Sequence, residues 1–183
     1  MRTRSLLVLA FATLAAAPLS AQTVLVGGEA MYPAKDIVSN AVNSKDHTTL
    51  VAAVKAAGLV ETLQGKGPFT VFAPINGAFA VLPAGTVDNL LKPENKGALT
   101  SVLTYHVVAG RVTAKDLVAA IKKGHGTATL TTVNGQKLTA MLNGPMNVVL
   151  RDASGGTSNI STYDVLQSNG VIHVIDHVLL PTM

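Results

Sequence analysis

Two spacings of apolar residues divide this chain near Gly124, helical before it and alternating after it. Ile37, Val38, Ala41 and Val42 fall on one face after Asp36, and Leu50, Val51 and Val54 repeat the spacing until Gly58 offers a stop. Two short helices are predicted. A third is expected from about residue 95 to 105, where Leu99, Val102, Leu103 and His106 follow the i, i+3, i+4, i+7 pattern, so that His106 continues a buried face. A fourth begins at Thr113, whose hydroxyl caps while Asp116 reaches back; Val112 and Leu117 are placed as a hydrophobic staple, and Gly124 ends the helix.

The helical part is interrupted once. Phe69, Thr70, Val71 and Phe72 read as a short buried strand, Pro74 stops it, and residues 76–81 read as a helical turn with apolar Ala78, Phe79 and Val81. After Gly124, residues 127–133 and 136–142 flank Asn134-Gly135, a pair suited to the two positive φ angles of a tight hairpin. Strands over 146–151, 159–166 and 171–180 follow, separated by turns at 143–145, 154–156 and 168–170. Helices first and meandering strands afterwards, with the early strand paired to the late ones, make an α+β domain.

The N-terminus changes how much chain that domain has to use. Arg2 and Arg4 precede an apolar run over 6–17, and Pro18, Ser20 and Ala21 close it, the pattern of a secretory signal cleaved after Ala21, with Leu19 the one departure from small residues. The run is shorter than the roughly 20 residues of a membrane-spanning helix, and no later segment reaches that length. The expected organisation is a signal peptide over 1–21, an N-terminal arm without helical period over 22–35, and one domain over 36–183. A secreted or periplasmic location follows from the signal. The chain has no cysteine, so neither a disulfide nor a lipid-anchored cysteine is available and stability must come from the core.

The formal charge of +4 falls to +2 once Arg2 and Arg4 leave with the signal. The lysines are scattered, with Lys122 and Lys123 the only adjacent pair, and no basic stripe interleaves with aromatics. This argues against nucleic acid as a partner and leaves only modest attraction to anionic polysaccharide or a negatively charged cell surface.

Five histidines raise the question of a metal. His173 and His177 have the spacing that converges on zinc from a helix, but the β-branched residues around them favour a strand, where four residues span about 13 Å. Asp176 points to the opposite face, and His47 and His125 are distant in sequence, so neither metal nor cofactor is predicted. A hydrolase needs an activated nucleophile, and the chain lacks cysteine, a Gly-x-Ser-x-Gly elbow and a Ser-x-x-Lys motif. Tyr105 and His106 are an acid and base side by side, yet the same pair suits rings that pack while their polar tips satisfy backbone groups. The structural role is expected, and no enzyme is predicted. Gly65-Lys66-Gly67 and Gly155-Gly156 lack phosphate-loop spacing, and the glycosylation pattern Asn159-Ile160-Ser161 falls in a predicted strand. Hydrophobic residues reach 48% with only 4% aromatic. Val60, Leu63, Val81, Leu82, Leu90, Leu91, Met141 and Met146 are either ordinary packing or the lining of a groove for an apolar ligand.

The stretch GPFTVFAPINGAFAVLP over 67–83 has a distant echo in NGVIHVIDHVLLP over 169–181, with LTYHVVAGRV over 103–112 between them. In this order the three segments resemble the fasciclin domain, and the resemblance covers nearly the whole chain after the signal. It implies a fasciclin-like β-wedge of about seven strands packed with several short helices. It also implies a role outside the cell in adhesion, matrix contact or symbiotic association. TVFAPINGAF is similar to the family's first signature box, Tyr105 and His106 to its central pair, and the segment over 169–181 to its closing box. The residues this singles out are Thr70, Phe72, Pro74, Asn76, Phe79, Tyr105, His106, His173 and Asp176, with His106 and Asp176 matching positions usually assigned to holding the core. The chain departs at Ile75 and Gly77, where the box has threonine and glutamate, and Asn76 is expected to supply the lost cap.

Two functions of different kinds are expected from this. One is adhesion through a cell-surface or matrix polysaccharide or protein, weak per copy and therefore dependent on clustering. The other is a soluble carrier of an apolar small molecule such as a carotenoid or lipid, as the resemblance implies for some such domains.

Overall fold

The computed structural model describes residues 23–182, so the predicted signal lies outside the described residues. The element order follows the change in apolar spacing. A hairpin of β1 (Val24–Val26) and β2 (Glu29–Met31) precedes helices α1 (Ile37–Ala41), α2 (Thr48–Ala57) and α3 (Val60–Gln64). Strand β3 (Phe69–Pro74) interrupts them before α4 (Asn76–Ala80), α5 (Thr86–Leu90) and α6 (Lys96–Tyr105). Strand β4 (Val107–Ala109) and helix α7 (Ala114–Lys123) lead into the meander β5 (Thr127–Thr131), β6 (Lys137–Leu142), β7 (Val148–Arg151), β8 (Thr157–Gln167) and β9 (Gly170–Ile175).

Seven strands form one sheet in the order β4-β3-β9-β8-β7-β6-β5. Only β3 and β9 run parallel, with Phe72 opposite His173. The two edge strands curl toward each other: Val108 bridges Thr132, and the Val133 N–H donates to the Val107 carbonyl at 2.7 Å, nearly closing the sheet. This is the α+β wedge expected from the resemblance. Successive residues of β3 feed two cores, as the period of a strand requires. Val71 and Ala73 join Leu50, Val54, Leu103 and Ile172 under the helices. Phe72 points the other way, into the curl of the sheet, with Tyr105, Leu138, Leu150 and Ile175, and α7 closes that side with Leu117 and Ile121.

The helix signals act as read. Gly58 ends α2 at φ 74°, a left-handed angle that favours glycine. Thr113 and Asp116 form a reciprocal capping box on α7.

Several details were not foreseen. Within the N-terminal arm, described from residue 23, Gly27 and Gly28 turn a hairpin whose Val26 and Met31 are buried in the helical core. Three-residue strands are too short to show a period. Helices α3 and α5, five residues each, escape notice for the same reason. Strand β7 starts at Val148, leaving Met146 exposed. The last strand ends at Ile175 instead of running to 180, because side chains take over its backbone donors. The N–H groups of His177, Leu179, Leu180 and Thr182 go to Ser158, His106, Asp152 and Gln136 respectively. Among the described residues no helix is long and apolar enough to cross a membrane.

Candidate functional site

Of the residues singled out in the three signature segments, Thr70, Phe72 and His173 gather along the parallel pair β3 and β9 and His106 joins the end of α6 to the C-terminal segment, whereas Tyr105, Asn76, Phe79 and Asp176 each reach another part of the fold. His106 caps α6 and is almost fully buried. Its Nε2 accepts the Leu179 N–H at 2.9 Å, which leaves Nδ1 protonated to donate to the Val102 carbonyl at 2.8 Å. Burial, only partly offset by that carbonyl and by Asp152, pulls His106 down from 6.5 to about 4. Tyr105 points elsewhere. Its hydroxyl donates to the Lys137 carbonyl and accepts the Ala153 N–H, both at 2.9 Å, tying α6 to β6 and to the turn after β7. Burial pushes that hydroxyl up, opposed by the Ala153 N–H and helped by the negative charge of Asp152. The two residues share no hydrogen bond with each other, and the polar atoms of both are engaged by backbone groups.

His173 is the mirror case in tautomer. The Asp164 N–H reaches its Nδ1 at 3.3 Å, so Nε2 carries the proton and donates to the Val112 carbonyl at 2.9 Å. Burial lowers its pKa. Its ring stacks on Phe72 at 5.7 Å between centroids and meets Tyr163 edge-on. Beside it, Thr70 donates to the Gly110 carbonyl at 2.7 Å and accepts the Val112 N–H at 2.8 Å. Thr70, Phe72 and His173 therefore hold the chain from β4 to α7 against the parallel strand pair.

Asp176 sits where β9 breaks off. Its Oδ1 accepts from the Asn159 N–H at 2.7 Å and from Ser158 at 3.1 Å, and Oδ2 accepts from the Asn159 side chain at 2.8 Å. His177 Nδ1 lies 2.9 Å from Oδ1. Burial raises the pKa of Asp176, but the bonds from His177, Asn159 and Ser158 together outweigh it and bring the group to about 2. The Asn159 amide is thus engaged with a carboxylate.

Asn76 does not cap its own helix. The N-cap of α4 is Ile75, which makes no side-chain bond. The Asn76 carbonyl oxygen instead accepts the Thr49 N–H at 3.0 Å, and its amide donates to the Lys45 carbonyl at 2.8 Å. It caps the start of α2, a neighbour in space and not in sequence. Pro74 ends β3 opposite Ile175, and half-buried Phe79 packs beside Ala78, Val102 and Val178.

Sequence reasoning missed the acceptors on loops. Asp152 takes the N–H of Gly156 at 2.7 Å and that of Leu180 at 2.9 Å. Asn169 accepts the Ile37 N–H at 3.0 Å and donates to the carbonyls of Leu63 and Gly65. Asn40 bonds Gln167 across the core. Both Asp152 and Asn169 stand in turns, and nothing in the sequence says which distant backbone they reach.

The eight residues considered for an apolar groove do not line one together. Val60 and Leu63 border a cavity of about 80 Å3 under α2 and α3, whereas Leu82, Leu90 and Leu91 border a separate space of about 20 Å3. Both are smaller than the roughly 300 Å3 at which sites for drug-sized ligands begin. Among the described residues no three His, Asp or Glu side chains cluster closely enough to hold a metal.

The family model for the Fasciclin domain matches residues 45–181. The chain belongs to the fasciclin-domain family. Similar relatives include the Synechocystis protein sll1483, 46% identical over 88% of this chain and 82% of its own. The Mycobacterium bovis immunogenic protein MPB70 is 35% identical over 77% of this chain and 66% of its own. The transforming growth factor-beta-induced protein ig-h3 of Sus scrofa is 38% identical over 73% of this chain, which spans only 17% of that longer protein. Among solved structures, the domain pair of the insect cell adhesion molecule fasciclin I matches with a TM-score of 0.69 at 21% identity. That match covers 80% of this chain and 51% of the other, and it shows a shared fold. The fasciclin domain here has the wedge, with Ile75 and Gly77 beside Asn76 at the start of α4.

Proposed function

We propose that this fasciclin-domain chain is exported and supports adhesion of a cell to a surface polysaccharide or protein, without catalysing a reaction. One observation carries the reading: the polar atoms of Thr70, Tyr105, His106 and His173 are spent on the chain's own backbone. Catalysis needs at least one such group turned toward a substrate, and these four are buried. Export is supported by the signal pattern in the first 21 residues. The adhesive part draws on the family and on the insect protein of like fold that is a cell adhesion molecule.

A single small domain offers limited interface, so adhesion by this route works through many copies. The test uses beads densely coated with the purified exported protein, applied to cells of the source organism and to their isolated polysaccharide. Beads should be retained while the free monomer washes off. Absence of retention at every coating density would remove the adhesive reading.

A further inference from the structure

Asparagine is followed by glycine four times in this chain, at Asn76, Asn134, Asn143 and Asn169. The pair is chemically labile, because glycine has no side chain to shield its backbone nitrogen from the neighbouring side-chain amide. Reaction requires that amide to swing over the glycine nitrogen, so any hydrogen bond that holds it must break first.

Three of the four pairs are held. Asn76 is bonded to the Thr49 N–H and the Lys45 carbonyl. Asn134 accepts from the Thr132 hydroxyl at 2.7 Å and from the Gln136 N–H at 2.9 Å, and it donates to the Ser101 carbonyl. The following Gly135 N–H is itself spent on the Thr132 carbonyl. Asn169 is fixed by the Ile37 N–H and the carbonyls of Leu63 and Gly65, and Gly170 after it is buried in β9.

Asn143 is different. It stands with Gly144 in the exposed turn between β6 and β7, and among the described residues neither its side-chain amide nor the Gly144 N–H has a hydrogen-bonding partner. The Asn143 backbone N–H donates to the Asn147 carbonyl at 2.8 Å, which closes the turn without holding the side chain. Gly144 lies at φ 92°, and a Cβ there would meet nothing within 4 Å, so the approach to its nitrogen is open.

We propose that Asn143 is a site of spontaneous deamidation, converted through a cyclic imide with Gly144 to aspartate and isoaspartate. A base in solution takes the Gly144 amide proton, the nitrogen forms a bond to Asn143 Cγ, and the Cγ–Nδ2 bond breaks as Nδ2 leaves with a proton as ammonia. Water then adds to one of the two imide carbonyls, and the bond from that carbon to the shared nitrogen breaks, which restores the Gly144 N–H. Opening at Cγ leaves aspartate. Opening at the main-chain carbon leaves isoaspartate, whose backbone runs on through Cγ. One water is consumed and one ammonia released, with no oxidant or reductant. Strands β6 and β7 stay paired from Leu142 and Val148 inward, and the turn takes the extra backbone carbon. Either product puts a carboxylate where a neutral amide stood, so the charge of this turn changes with the age of the protein. The inference stands apart from the adhesive reading, since it concerns a covalent change at one turn.

Incubation of the purified exported protein at mildly alkaline pH in oxygen-labelled water, folded and in concentrated urea, followed by peptide mass spectrometry, tests it. In the folded protein the label should enter residue 143 about tenfold or more faster than residues 76, 134 and 169, the hold that two or three hydrogen bonds exert on each of those side chains. In urea the four rates should converge. Asn143→Gln should remove the fast labelling while the folded spectrum is retained. The proposal is overturned if residue 143 of the folded protein stays unlabelled, if it is no faster than the other three, or if its lead persists undiminished in urea.

Discussion

His106 Nε2 accepts the backbone N–H of Leu179 at 2.9 Å, a bond between residues 73 apart that fastens the C-terminal segment to the end of α6. The same imidazole closes the α6 terminus through the Val102 carbonyl. His106→Ala therefore orphans a buried donor, and it should lower the unfolding free energy by roughly 1–3 kcal/mol. Urea denaturation measures this, and amide exchange at Leu179 should accelerate with it.

The pH dependence has a definite sign. His106 is neutral when folded until about pH 4, whereas the unfolded side chain takes its proton near 6.5. Its contribution is fully present above about 6.5 and declines as pH falls to about 4, by on the order of 3 kcal/mol. His173 and His47 are lowered by burial too, and add to the loss below 6.5. Asp176 acts later: its pKa drops from 3.8 to about 2 on folding, so its contribution holds above 3.8 and fades between those values. Denaturation midpoints at a series of pH values should fall from neutral toward pH 4, less steeply in His106→Ala. A flat profile would contradict this.

Buried Thr70 joins two backbone groups of half-buried residues, the Gly110 carbonyl and the Val112 N–H. Thr70→Val keeps the shape and removes both bonds, so stability should drop by roughly 1–3 kcal/mol. Thr70→Ser should recover most of it. Thermal unfolding of the two variants compares them directly.

Asn76→Ala removes the cap that α4 provides to α2. The expected cost is about 1 kcal/mol, read from the denaturation midpoint, with faster exchange at Thr49. A threonine at position 75 in the same background should not restore it, because that hydroxyl would serve α4.

Gly170 lies in β9 directly opposite Phe69. A Cβ there would run into the Phe69 carbonyl oxygen and the Ile37 side chain. Gly170→Ala should separate the parallel pair and reduce soluble yield, which expression and a proton spectrum would reveal.

The chain discloses its helices and its meander because long periodic stretches such as those around Leu99 and Leu138 can only be satisfied one way. Thr113 and Asp116 were legible because a capping box is local. Asn76 was half legible: its type announces a cap, but which helix it serves depends on packing between α2 and α4. Val171 to Val178 look like one strand by composition, yet the strand stops where Asp176 takes the Asn159 N–H, a choice made across 17 residues. Asp152 and Asn169 were invisible as clasps for the same reason. The cavity under α2 depends on how three helices fail to meet, and spacing carries no such information.

On the proposed function, the signature residues clasp the fold and leave adhesion to the outer surface. Measuring the stability of His106→Ala and its adhesion as coated beads, at a temperature where the variant is folded, separates these roles most directly. The expected result is lower stability with retained adhesion. Unchanged stability with lost adhesion would contradict it.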